Sequence, residues 1–165
     1  MFHVRQRCVK DCGVAAAAML AEVTYEEVLE YCCDGVSVAN RPEVGLWPET
    51  VARALAAITQ VGWQIIYERG TRPVVGTYRF PAWRVAAVIE KAPCIQHYVA
   101  VQGDLVHDPL LALPCVQAAY PNRGWSVHAI IQPTDPAFLP EHRARRRARI
   151  LRDLSLALLP TPGRW

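Results

Sequence analysis

Apolar positions recur at helical spacing through the first third of the chain and as continuous or alternating runs through the middle, so the pattern predicts helices followed by a sheet. Residues 12–20 are mostly small, with Ala15 to Leu20 supplying high helix propensity behind Asp11 as N-cap. Thr24-Tyr25-Glu26-Glu27 has the form of a capping box and opens a second helix to about Cys32. Asp34-Gly35 ends that helix, and a polar loop runs to Gly45. A third helix starts around Pro48, with Val51, Leu55 and Ile58 on one apolar face.

From Trp63 the pattern changes. Residues 63–67 and 74–78 are rich in β-branched and aromatic side chains and read as strands, whereas 82–90 reads as one more short helix, ended by Pro93. Residues 95–101 and 105–108 form a hairpin about Gly103-Asp104, and 125–131 is a further strand. The expected class is α+β, with the early helices packed on an antiparallel sheet.

At 165 residues and 52% apolar content the chain fits a single domain over 1–165, with a core that needs no disulfide staples. It shows neither a basic-plus-apolar leader nor a run of about 18 apolar residues, so a cytoplasmic protein is expected. Its six cysteines then read as thiols. No CxxC pair or Cys/His quartet calls for a metal, and nothing calls for a cofactor. Cys8, Cys32, Cys33, Cys94 and Cys115 are assigned to packing, with Cys8 also a candidate redox partner for Cys12.

Charge is local. Residues 141–153 carry six arginines and two acids, a balance of +4, against −1 for the rest of the chain. Ile150, Leu151, Leu154 and Leu158 give the segment an apolar side, so 134–159 reads as a basic amphipathic C-terminal helix docked on the domain. No base-reading motif accompanies it, and a peptide or protein substrate is the expected partner rather than nucleic acid.

Chemistry concentrates in two places. Cys12 begins a helix, where unpaired N–H groups and the positive dipole end favour a thiolate, which makes it a candidate nucleophile. Gly13 is expected to keep the first turn open to a substrate, and Gln6, six residues before Cys12, can fold back and offer an amide N–H. In the hairpin, a two-residue turn sets Ala100 against His107 and Val99 against Asp108, so His97 shares a face with Asp108 as its diagonal neighbour. His107 points to the other face. A histidine coupled to a carboxylate holds one tautomer and accepts a thiol proton. His128 is the reserve base, while His3 and His142 are expected in terminal or solvated positions.

Gln6-x5-Cys12-Gly13 before a small-residue helix, followed by His97-Tyr98-Val99-Ala100-Val101 and His107-Asp108-Pro109, resembles the C39 peptidases, which are papain-like cysteine peptidases. The resemblance implies a papain-like fold, with Cys12 as nucleophile, His97 as its base, Asp108 orienting His97 and Gln6 lending a donor to the oxyanion hole. Members of that family commonly trim double-glycine leader peptides. Here a glycine-rich tail, an isopeptide bond and acyl transfer all stay open, since transglutaminase-like enzymes share the Cys…His…Asp order. A non-catalytic papain-like binding module is the alternative from a different class, with retention of all four residues against it.

Overall fold

A computed structural model describes residues 1–8, 10–33, 45–93, 95–135 and 137 of the protein. The loop expected over 34–44, Cys94, His142 and nearly all of the basic helix expected over 134–159 lie outside the described residues. Thr134 and Asp135, where that helix was expected to begin, are not helical.

Three helices come first: α1 (Cys12–Ala21), α2 (Tyr25–Cys33) and α3 (Pro48–Thr59). Each starts where its sequence signal lies. Thr24 and Glu27 cap α2 reciprocally, Glu27 N–H donating to Thr24 Oγ1 at 3.1 Å and Thr24 N–H to Glu27 Oε2 at 2.8 Å. Pro48 occupies the first turn of α3. Six strands follow, β1 (Trp63–Tyr67), β2 (Arg84–Ala92), β3 (Ile95–Gln102), β4 (Leu105–His107), β5 (Cys115–Val116) and β6 (Ser126–Pro133). They form one antiparallel sheet in the order β1-β6-β2-β3-β4-β5, so the molecule is α+β.

Two expectations are corrected. Residues 82–90 are not a helix but most of β2, a central strand buried on both faces. Val85, Ala87 and Ile89 join one apolar cluster while Ala86 and Val88 join the other. Such a strand reads as an unbroken apolar run, and its alanines mimic helix propensity. Residues 74–78 are not a strand either: only Val74 makes a bridge, to Ser126, and Val75–Thr77 is a 3-10 turn. Backbone bonds from Val75 N–H to Trp125 and from Gly76 N–H to Arg123, both 2.8 Å, satisfy this segment outside any ladder.

The sheet carries an apolar cluster on each face. Against one face lie the helices, with α1 innermost and all ten of its residues buried. Four successive alanines, Ala15 to Ala18, let that helix approach Tyr98 and Ala100 of β3 closely. The other face is covered by Val75, Tyr120, Leu111 and Trp125 from the connecting segments. At its far end α1 stops at Glu22, which has φ +55°, and Arg84 of β2 holds the Glu22 carboxylate at 2.8 Å. Among the described residues no helix is long and apolar enough to cross a membrane.

Candidate active site

The hairpin fixes half of the site. Its register pairs Gln102 with Leu105, Val101 with Val106 and Ala100 with His107, as the Gly103-Asp104 turn requires. Gly103 has φ +60°, the left-handed value that a two-residue hairpin turn demands of its first central residue and that glycine adopts without strain. The ladder stops at His107, so residues 95–99 of β3 have no strand partner on the β4 side among the described residues. Asp108 turns in beside this free edge. Its Oδ1 lies 2.6 Å from His97 Nε2, as the shared face of the two residues anticipates.

Asp108 is fully buried and carries three donors. Besides His97, Leu110 N–H donates to Oδ1 at 2.8 Å and the Tyr120 hydroxyl to Oδ2 at 2.6 Å. Burial pushes the carboxyl pKa up, but the bonds from His97, Tyr120 and Leu110 outweigh it and hold Asp108 below its ordinary range. Tyr120 is itself 0% exposed, and burial with the Asp108 charge keeps its hydroxyl protonated, hence a donor. Sequence reasoning missed Tyr120. It follows a short 3-10 turn in a segment without periodic pattern, and no local signal ties it to a residue twelve positions earlier.

Cys12 stands at the first position of α1, as expected, and is 7% exposed. His97, 6% exposed, lies within hydrogen-bonding reach of the Cys12 thiol while Nε2 is taken by Asp108, which leaves Nδ1 for the sulfur. Burial alone lowers the His97 pKa, but the hydrogen bonds to Asp108 and Cys12 and the charges of both raise it to about 9. The imidazole is therefore held protonated at neutral pH between a carboxylate and a sulfur. Three separate elements, the α1 start, β3 and the segment after β4, bring Cys12, His97 and Asp108 together.

Gln6 joins them through its backbone. Its N–H donates to the Pro109 carbonyl at 3.1 Å, which docks the N-terminal segment one residue beyond Asp108. The side chain folds onto Cys8, with Nε2 donating to the Cys8 carbonyl at 2.9 Å and Oε1 buried without a hydrogen-bond partner among the described residues. The amide has a second N–H to offer.

Other expectations fare differently. Asp11 occupies the N-cap position, yet its side chain makes no capping bond to α1. Gly13 does not leave room for a ligand: a side chain there would meet Val51 Cγ2 at 3.3 Å and Leu46 Cβ at 3.4 Å, so it serves the packing of α1 on α3 and its approach. Cys8 is exposed rather than packed, and it is a free thiol like Cys12 and Cys115. His128, the reserve base, sits in β6 where the pairing skips a residue between Val127 and Ala129, with its ring edge-on to Tyr67 at 5.8 Å. His3 is terminal, as expected, and half-buried; its Nε2 lies 2.8 Å from the Leu111 carbonyl and its ring 6.1 Å from that of His107. No family model matches the chain, and a search of curated proteins finds no significant match.

Proposed function

We propose that the protein is a papain-like cysteine peptidase or amide hydrolase of C39 type, acting through a thioester on a peptide or isopeptide substrate. One observation carries this reading: His97 is shared between the Asp108 carboxylate and a thiol at a helix start. The Cys12 sulfur, its proton already resting on His97, attacks the amide carbonyl carbon, and as the C=O π bond opens the oxygen takes the negative charge, to be met by first-turn N–H groups and the Gln6 amide. As the C–N bond breaks, the His97 proton passes to the leaving amine. Water then attacks the thioester, giving its proton to His97, and the carboxylic product leaves as the thiol is restored. Asp108 keeps the imidazole in one orientation throughout and does not itself gain the proton.

Alkylation with iodoacetamide tests the reading, because exposure and activation rank the thiols oppositely. Cys8 is exposed and Cys12 is 7% exposed. Near neutral pH, intact-mass analysis followed by peptide mapping should find Cys12 modified first. Cys12→Ala should abolish turnover of fluorogenic peptide amides and leave the melting temperature nearly unchanged. Labelling of Cys8 ahead of Cys12 would remove the nucleophile from the proposal.

A further inference from the structure

Asp11 stands where a capping carboxylate should close the start of α1, and it does something else. Its backbone, φ −108° and ψ 16°, is outside the extended region usual for that position. The fully buried carboxylate turns back along the chain. Oδ2 accepts the Arg7 N–H at 2.9 Å, both oxygens accept the Cys8 N–H at 3.1 Å, and Oδ2 also takes the Tyr25 hydroxyl of α2 at 2.5 Å. Burial and the bond to Asp11 keep that hydroxyl protonated. The Arg7 guanidinium lies 4.2 Å from the centre of the Tyr25 ring and pairs with Glu26 at 2.5 Å, which closes the cluster on its outer side.

Two consequences meet at the thiol. The helix ladder begins with Ala15 N–H on the Asp11 carbonyl, so the N–H groups of Cys12, Gly13 and Val14 have no acceptor in the helix and none in the Asp11 side chain. Meanwhile the residue that Asp11 grips by its N–H, Cys8, is the one whose carbonyl holds the Gln6 amide. We propose that Asp11 is the positioning residue of the oxyanion site: by clamping Arg7 and Cys8 instead of capping α1, it leaves the first-turn donors uncapped by its carboxylate and aims Gln6 beside them. The proposal rests on the thioester reading above.

Asp11→Ser is the discriminating variant, because serine is a good N-cap that bonds the first turn but cannot reach back to Arg7, Cys8 and Tyr25 together. Two probes are compared on the same preparation. Iodoacetamide alkylation passes through no oxyanion, whereas acylation of Cys12 by p-nitrophenyl acetate does. Asp11→Ser should be alkylated at Cys12 at least half as fast as the parent protein while its acylation rate falls roughly 10- to 100-fold, the scale of losing oxyanion donors. Tyr25→Phe, a milder change at the same carboxylate, should lose about three- to tenfold in acylation, again with alkylation kept. Unchanged acylation in both variants overturns the proposal, and so does a parallel loss of both reactions with a lowered melting temperature, which marks a merely structural clamp. A parent protein that p-nitrophenyl acetate never acylates at Cys12 overturns the underlying reading instead, and that failure is seen before any variant is made.

Discussion

At the scale of single residues, the candidate site depends on polar groups whose bonds leave little slack. Asp108 is a buried anion whose Oδ2 is satisfied by the Tyr120 hydroxyl. Tyr120→Phe removes that donor without changing ring packing, and with it only a long 3.4 Å bond that the hydroxyl accepts from Asn122 Nδ2. Leaving a buried carboxylate oxygen unpaired costs about 1–3 kcal/mol, and urea titration should show a loss of that size. With fewer donors, Asp108 also holds its proton to higher pH, so the acid limb of the activity profile should move upward in Tyr120→Phe. An unchanged acid limb would mean that Tyr120 supports the fold only. The His97-Asp108 pair was legible in the sequence because hairpin register is a local rule. Tyr120 and the clamp on Asp11 were not, since each joins segments that only tertiary folding brings together.

At the scale of elements, local chemistry decided correctly where it was strong. The Thr24/Glu27 box, Pro48 in a first turn and the Gly103-Asp104 turn each specify backbone geometry through bonds made within a few residues. It failed at β2, where burial on both faces erases the alternation by which a strand is read, and at 74–78, where β-branched residues lie in a turn because β6 begins at Ser126 and offers no strand beyond the Val74 bridge. The turn offers a clean test of how firmly the site's register is held. At Gly103, with φ +60° and nothing within 4 Å of an added Cβ, an alanine meets backbone strain and no clash. Gly103→Ala should therefore cost about 1–2 kcal/mol in denaturant titrations. Val101 and Val106, cross-strand partners that are both fully buried, oppose any slip of the hairpin. The rate per folded molecule should accordingly stay near that of the parent. A large fall in that rate would show that the turn, and not the core, sets the approach of His97 to Asp108.

At the scale of the whole molecule, two buried histidines on one hairpin pull the pH dependence of stability in opposite directions. His97 has its pKa raised from 6.5 to about 9, so its contribution is complete below pH 6.5 and is lost as pH rises through about 9. His107, 4% exposed, has its pKa lowered from 6.5 to about 4, first by burial and then by His3 and the N-terminal ammonium. Its Nδ1 has no partner among the described residues. His107 is thus folded in its neutral form, and its contribution is complete above pH 6.5 and lost as pH falls through about 4. Together these shifts set the most stable range near pH 6.5, with stability declining on both sides. Between pH 6.5 and 4.5 few carboxylates titrate, so the acid decline there belongs mainly to His107. His107→Gln should flatten the melting temperature over that window and leave the alkaline limb in place, whereas His97→Gln should flatten the window from pH 6.5 to 9 and keep the acid one. Melting curves collected at half-unit steps across both windows decide the matter. If His107→Gln retains the acid slope of the parent, the burial of a neutral imidazole at the N-terminal arm is not what makes the fold sensitive to acid.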